Sequence, residues 1–313
     1  MSIILIFLFM IKQKNDKQQT YLITGAKGII GEEIINQLND HYHWINHIDL
    51  GLEEMDVTNY QQVLKKFKQY KPDTVIHLAA ITNVDWCEEN PAKCKDVNVD
   101  GVKNICRAVK EINTTLVYPS TFYVYNGKDG KIFDDRTDQP KLNKVIGYYS
   151  KTKLLGEQLI KKYKINKYYV IRIGALFGGR KRDKKFVGKI LKLIEQENEL
   201  KMINDRFIQP TYVKDLVTNM LKLIMSENYG TYNIVGHGSA TYYQYAKKII
   251  EYARKKNIKV IPINSSQFKE KAPRAKNLTA INGKLQDINL DLMRKWQVAL
   301  KDYIQNDLKY KSD

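Results

Sequence analysis

Short apolar runs alternate with amphipathic stretches through the first half of the chain. Runs typical of buried strands are TYLIT (20–24), HWINHIDL (43–50), DTVIHLAA (73–80) and TTLVYPS (114–120). The intervening stretches 32–40, 60–70 and 99–112 carry apolar residues at helical spacing, which also makes Cys106 a core residue. Strands that alternate with helices in this way predict parallel βαβ units.

The second half begins with the same pattern and then loses its regularity. A helix is predicted from about Gly147 to Tyr163, followed by a fifth strand and its outgoing loop in KYYVIRIGALFG (167–178). Beyond residue 178 helices are predicted near 184–195, 212–226 and 240–256. We therefore expect an α/β fold, with a Rossmann-type doubly wound parallel sheet and a smaller C-terminal α/β substrate lobe. Its expected parts are an N-terminal extension (1–19), a dinucleotide-binding domain (20–178) and a mainly substrate-binding lobe (179–313).

Composition narrows the possible partners. The formal net charge is +18, but the lysines are scattered and accompany no nucleic-acid motif, so we expect a solvated surface that favours an anionic substrate. The apolar run IILIFLFMI (3–11) is too short to span a membrane. Three cysteines without CxxC spacing and five histidines without ligand spacing indicate no disulfide framework and no metal site. These features favour the cytoplasm.

A glycine-rich turn joins the first strand to the first helix. In TGAKGIIG (24–31), Gly25, Gly28 and Gly31 follow the strand, and Ile29 and Ile30 lie between the last two glycines among the expected cofactor contacts. Glycine allows a tight turn and a close approach of the backbone to a pyrophosphate at the helix N-terminus. This placement predicts a dinucleotide site.

Two features near the glycine turn bear on the choice of cofactor. Asp49 ends the second strand, 24 residues after Gly25, where an acid holds the adenosine ribose hydroxyls and favours NADH. Lys27 favours NADPH, because its ammonium can meet a 2′-phosphate. Asp56, with Val57, either contacts the adenine or belongs to the cap of the following helix.

The YxxxK spacing at Tyr149 and Lys153 is the candidate catalytic pair. The same spacing also occurs from residues 163, 243 and 252, and chance accounts for most of these occurrences. The pair at 149 is singled out by Ser120 and Thr121, which end the fourth strand at the edge of the sheet where ligands bind. Tyr149 and Lys153 are four residues apart on one face of a helix, so the lysine can lie near the phenol and near the cofactor ribose.

Together these stretches resemble the extended short-chain dehydrogenase/reductase superfamily, and within it the dTDP-4-dehydrorhamnose reductases. The resemblance covers residues 20 to 310. It rests on TGAKGIIG, LAA (78–80), Asn98, PST (119–121), YSKTK (149–153), INDRFIQPTYVKDLV (203–217) and GTYNIVGHGSATYYQYA (230–246). It implies NADPH or NADH as cofactor, with Leu78, Ala79 and Ala80 among its contacts.

A narrower resemblance is to plant-type bifunctional NDP-4-keto-6-deoxyglucose 3,5-epimerase/4-reductases. It is carried by VDWCE (84–88), YSKTK and APRAKN (272–277). The chain departs from simple reductases at Phe122, where they usually carry an acid after the threonine, and this departure weakens a reductase-only interpretation.

The resemblance implies a mechanism. Hydride reaches the C4 ketone, Tyr149 protonates the alkoxide, Lys153 lowers the phenol pKa, and Thr121 hydrogen-bonds the oxygen. Cys87 would handle a proton at C3 or C5 as the epimerisation acid/base, or else is a packed thiol.

The resemblance also implies a nucleotide-sugar pocket. Residues expected there are Asn83, Asp85, Asn204, Gln209 and Arg274. Arg274 and the basic run 180–185 either contact the substrate diphosphate or belong to a solvated loop. The expected activity is conversion of an NDP-4-keto-6-deoxyglucose, UDP-linked by the plant-type similarity, to NDP-L-rhamnose. The alternatives are a 4-reductase without epimerase activity and a non-catalytic nucleotide-binding regulatory subunit. A homodimer and a functional link to an NDP-glucose 4,6-dehydratase are also expected.

Overall fold

A computed structural model describes residues 18–127, 130–180 and 183–310. Residues 1–17 of the predicted N-terminal extension, with its apolar run, lie outside the described residues, as do residues 181 and 182 of the basic run. Gln19 already belongs to the first strand. Among the described helices, none is long and apolar enough to cross a membrane.

The described strands and helices follow the predicted alternation. The strands are β1 Gln19–Thr24, β2 Ile45–Leu50, β3 Thr74–His77, β4 Thr115–Thr121, β5 Ile132–Asp134, β6 Tyr168–Ile173, β7 Ala175–Phe177, β8 Glu199–Ile203, β9 Phe207–Ile208, β10 Pro210–Tyr212, β11 Gly230–Ile234, β12 Ala240–Thr241, β13 Lys259–Ile263 and β14 Thr279–Ile281. The helices are α1 Ile29–His41, α2 Tyr60–Tyr70, α3 Val84–Glu89, α4 Pro91–Lys95, α5 Val102–Ile112, α6 Tyr148–Lys162, α7 Phe186–Leu193, α8 Val213–Met225, α9 Tyr242–Tyr252, α10 Gly283–Asp287 and α11 Trp296–Asp302. A π-helical segment, Asp96–Gly101, joins α4 to α5.

Six parallel strands form the central sheet in the order β11-β6-β4-β3-β1-β2. Alternate strand residues face opposite layers: Tyr21 and Ile23 pack toward α1 and α8, whereas Leu22 packs toward α2 and α5. Both faces are therefore buried under helices, as parallel sheets require. The predicted Rossmann-type α/β fold is confirmed.

Two local features differ from the sequence prediction. The predicted fifth strand is divided at Gly174 into β6 and β7, and β7 leaves the sheet to pair with β10. A side chain at Gly174 would lie 2.4 Å from Thr211 Oγ1, so this close approach requires glycine. The stretch VDWCEE, for which no helix was predicted, forms α3, and Asn83 caps it by accepting a hydrogen bond from Trp86 N.

The C-terminal half is interleaved with the dinucleotide-binding half. It contributes β11 to the central sheet and α8 to the layer beside α1. The rest of the lobe uses two-stranded pairings, β8 with β13, β9 with β12 and β14 with β5. The division expected at residue 178 thus separates elements that share one core.

Gln209 ties this lobe together. Its amide donates to Gly236 O at 2.7 Å and Ala280 O at 2.9 Å, and accepts from Ala280 N at 2.8 Å. The Gln209 side chain is buried, and both its amide nitrogen and its amide oxygen are hydrogen-bonded to the backbone. It therefore links segments of the lobe and does not line the cleft where the nucleotide pocket was predicted.

We predict that Gln209→Ala lowers the free energy of unfolding by about 2–4 kcal/mol, because it leaves buried backbone groups of residues 236 and 280 without partners. The exposed Gln196→Ala serves as control and should change it by less than about 0.5 kcal/mol. Urea denaturation measures both variants. Equal stability of the two would contradict the cross-linking role.

Candidate active site

A cleft of about 1390 Å³ opens at the carboxyl edge of the central sheet. Thr24 at the end of β1, Leu78 after β3, Thr121 at the end of β4 and Ile173 at the end of β6 line it. Ligands of open α/β sheets bind at this edge. The opposite wall comes from the C-terminal lobe, through Phe186 and other residues of α7 and α9.

The glycine turn forms one end of the cleft. Gly25 has φ +66°, and a side chain there would lie 2.8 Å from Ala79 N. A side chain at Gly31 would lie 2.3 Å from Ala26 O. Gly28 is the N-cap of α1 and provides no capping side chain, so an anion can bind at the helix N-terminus. Lys27, Ile29 and Ile30 also line the cleft.

The remaining predicted cofactor residues divide into two groups. Asp56, Val57 and the segment 78–80 line the cleft, and Asp56 Oδ1 accepts hydrogen bonds from Thr58. Asp49 does not line it: its carboxylate lies on the exposed side of β2 and contacts His47 Nδ1 at 3.0 Å. Successive side chains along a strand point to opposite sides, so the chain lines the cleft from Leu50 onward, whereas the side chain of Asp49 points away from it.

Tyr149 and Lys153 share the cleft-facing side of α6. Tyr149 is half-buried, and burial raises the pKa of its phenol, with a smaller contribution from Cys87. Lys153 is buried, and burial lowers the pKa of its ammonium to about 7, an effect that Glu157 partly opposes. Its Nζ lies 4.0 Å from the centre of the Tyr118 ring. The three rival YxxxK pairs do not line the cleft.

Thr121 completes the predicted catalytic group. Its Oγ1 accepts a hydrogen bond from Tyr123 N at 3.2 Å, so its hydroxyl hydrogen can donate toward the cleft. Phe122 turns the other way and packs with Ala275 and Leu278. Position 122, which usually carries an acid in simple reductases, is here an apolar residue that packs against the segment that follows Arg274.

Cys87 is not among the residues that line the cleft. It lies on the inner face of α3 with no exposed surface, and its Sγ contacts Ile81 O at 3.7 Å. The same carbonyl accepts from Asn98 Nδ2 at 2.9 Å. Burial and the neighbouring Cys94 raise the pKa of the Cys87 thiol. This geometry is that of a packed thiol and not of the predicted base in open contact with a sugar.

Asp85 of α3 holds the segment 270–274 in place. Asp85 Oδ1 accepts from Ala272 N at 3.1 Å, and Asp85 Oδ2 accepts from Arg274 Nη2 at 2.9 Å. Arg274 also pairs with Glu270 at 3.1 Å. Asp85 and Arg274, both predicted to bind substrate, line the cleft and are paired with each other.

The other predicted substrate residues lie in different places. Asn83 lines the cleft while its side chain caps α3. Asn204 is exposed outside the cleft and accepts a hydrogen bond from Thr241 Oγ1 at 2.9 Å. Together with Gln209, it holds the lobe in shape and does not face a ligand.

Some cleft residues were not named by the sequence analysis. They include Tyr123, Tyr242 and Lys189 of α7. Ser120 and two lysines of the basic run, Lys184 and Lys185, line the cleft as well, and the sequence analysis had singled them out.

Comparison with known proteins places the chain in a family. The model described as RmlD substrate binding domain matches residues 19–309. The chain belongs to the RmlD-like dTDP-4-dehydrorhamnose reductase family. This oxidoreductase family confirms the predicted reductase resemblance and the prediction that the chain is an enzyme.

Individual members of the RmlD-like family align over nearly the whole chain. The spore coat polysaccharide biosynthesis protein SpsK of Bacillus subtilis is 31% identical over 91% of this chain and 96% of its own. The crystal structure of a dTDP-4-dehydrorhamnose reductase from Clostridium acetobutylicum has a TM-score of 0.86 at 33% identity, covering 92% of this chain and 99% of that one. The Bacillus anthracis dTDP-4-dehydrorhamnose reductase in complex with NADP has a TM-score of 0.86 at 30% identity, with the same coverages.

We predict that Gly25→Ala lowers the free energy of unfolding by about 2–5 kcal/mol, because a left-handed alanine is strained and its methyl group would press on Ala79. Gly130→Ala is the matched control: its φ is +63°, but no described atom lies within 4 Å of the added carbon. It should cost only about 1–2 kcal/mol in the same urea titration. Equal losses of unfolding free energy in the two variants would show that the contact with Ala79 does not contribute to the effect of Gly25→Ala.

Proposed function

We propose that this protein reduces the 4-keto group of a nucleotide-linked 4-keto-6-deoxyhexose, with NADPH as the hydride donor. The observation that carries the proposal is the convergence of Thr121, Tyr149 and Lys153 with the glycine turn in one cleft. A phenol, an ammonium and a hydroxyl next to a dinucleotide site suit protonation of the oxygen that forms when a ketone accepts hydride.

The residues present fit NADPH. The positive φ at Gly25 and the free N-terminus of α1 suit its pyrophosphate. Lys27 lines the adenosine end of the cleft, whereas Asp49, the acid that would favour NADH, faces away from it. The Bacillus anthracis relative was crystallised with NADP. When bound, NADPH supplies the hydride.

The side chains divide the remaining chemistry. Because its pKa is raised, Tyr149 holds its proton at neutral pH and can donate it to the C4 oxygen. When Lys153 carries its charge, the ammonium stabilises the phenolate that Tyr149 becomes after it has donated its proton. Its pKa of about 7 means that this charge is present below pH 7 and is lost as the pH rises through it. Thr121 donates to the same oxygen.

The substrate class follows from the family and from charge. Relatives carry the name dTDP-4-dehydrorhamnose reductase, and lysines 184, 185 and 189 give the cleft wall a cationic face that suits a nucleoside diphosphate. We propose the dTDP-linked sugar as the first substrate and the UDP-linked sugar, from the plant-type resemblance, as the second. A 4,6-dehydratase creates the 4-keto group of either sugar, and a separate 3,5-epimerase must act before a reductase that does not itself epimerise.

Epimerisation at C3 and C5 is a second candidate activity. Burial raises the pKa of the Tyr149 phenol, and Cys87 lies close enough to add to this rise, so the thiol is near the proposed general acid. Its burial and raised pKa oppose proton abstraction, because the thiolate is the reactive base. We therefore propose reduction as the main activity.

The deciding experiment supplies NADPH with either dTDP-4-dehydrorhamnose or its UDP-linked counterpart and follows NADPH absorbance. We expect oxidation of NADPH, and Tyr149→Phe should slow it by about 10² to 10⁴ with NADPH affinity unchanged, since a general acid is lost. Tyr148→Phe is the matched control, because this neighbour does not line the cleft. No oxidation with either sugar would overturn the proposal.

A companion arm incubates UDP-4-keto-6-deoxyglucose in D₂O without NADPH. Reductase-only chemistry leaves C3 and C5 free of solvent deuterium. Deuterium incorporation that Cys87→Ala abolishes would instead assign epimerase activity to this chain.

A further inference from the structure

A buried ion pair lies directly behind the catalytic pair. Glu157 follows Lys153 by one turn of α6 and is 2% exposed, and Arg172 in β6 is 1% exposed. Arg172 Nη2 donates to Glu157 Oε2 at 2.8 Å, and Arg172 Nε donates to Glu157 Oε1 at 3.1 Å. The guanidinium thus binds the carboxylate in a two-point, charge-assisted arrangement.

The ion pair also contacts the cleft wall and the far edge of the sheet. Ser120, which lines the cleft, donates its hydroxyl hydrogen to Glu157 Oε1 at 2.6 Å. On the other side, Arg172 Nη1 donates to Tyr125 OH at 2.8 Å, and Tyr125 OH donates to Asn233 Oδ1 at 3.1 Å. These bonds link α6 to β4, β6 and β11, the strands beneath the reacting centre.

We propose that Glu157 and Arg172 are positioning residues: their balance of charge decides whether Lys153 is an ammonium, and their hydrogen bonds fix Ser120 beside the reacting centre. Two cations, Lys153 and Arg172, and one anion, Glu157, are all buried here. Glu157 favours the charged form of Lys153, and Arg172 limits this effect by neutralising the same carboxylate. The consequence for catalysis rests on the proposed function, whereas the charge on Lys153 does not.

The other groups around Lys153 leave this role to Glu157. Tyr118 in β4 faces the ammonium with its ring, and burial raises the pKa of its phenol, so it is neutral. His77 in β3 stacks on Tyr118, and burial together with Lys153 lowers the pKa of its imidazole to about 3. Cys94 in α4 also raises the pKa of the Lys153 ammonium, but less than Glu157 does, and Tyr149 precedes the lysine on α6. Among these described neighbours, Glu157 is the paired carboxylate.

The test is a ¹³C NMR titration of the cofactor-free protein labelled at lysine Cε. Lys153 is recognised because it titrates near pH 7, far below ordinary lysines, and because its signal is absent from Lys153→Met. We expect Glu157→Gln to lower the midpoint by about one pH unit, and Arg172→Met to raise it by a similar amount. Asp215→Asn breaks a second ion pair, with Arg294 at 2.7 Å, outside the cleft, and should leave the midpoint unchanged.

Opposite shifts from two variants that break the same ion pair distinguish this role from a purely structural one, since loss of packing alone moves both variants the same way. Shifts in one direction, or none, would overturn the proposal. If Glu157→Gln does not fold, as judged by circular dichroism, Arg172→Met must still raise the midpoint. If the midpoints shift as expected but no sugar is reduced, the proposed function fails and the charge balance stands.

Discussion

The parallel pairing of six strands is the constraint on which the site depends. It brings the carboxyl ends of β1, β3, β4 and β6 to one edge, where Thr24, Thr121 and Ile173 meet. Among the described residues, no disulfide and no cluster of metal-ligating side chains brings these distant positions together. Register does so, because each strand is hydrogen-bonded along its length and its end is fixed relative to its neighbours. The glycine turn can approach the next loop so closely only because β1 pairs with β3.

Burial of the lysine has a cost. Lys153 is 4% exposed, and a buried ammonium tends to lose its proton. Burying Glu157 and Arg172 beside it is also costly unless every partner is satisfied, and the two-point pairing with the bonds to Ser120 and Tyr125 meets that condition. The lysine is thus supported by a buried polar layer, of which Ser120 lines the cleft.

Local patterns made part of the site predictable. The glycine turn and the Tyr149–Lys153 spacing each lie within a few residues on one element, so sequence alone places them. Asp49 was assigned to the cofactor from its place at the end of the second strand and Gln209 to the substrate from the family resemblance, but the direction of a side chain depends on strand phase and on partners 71 residues away. The inward direction of the Cys87 thiol likewise depends on how its helix packs. The Glu157–Arg172 pair joins two elements and leaves no local signature.

The central claim is that the cleft directs hydride to C4 of the sugar. The most direct measurement is mass spectrometry and NMR of the sugar formed from dTDP-4-dehydrorhamnose and NADPH deuterated on the transferring face of C4 of the nicotinamide. The structure predicts one deuterium per sugar, at C4, and a product absent with Tyr149→Phe in the same incubation time. A reduced sugar without deuterium at C4, or equal labelling with Tyr149→Phe, would contradict it.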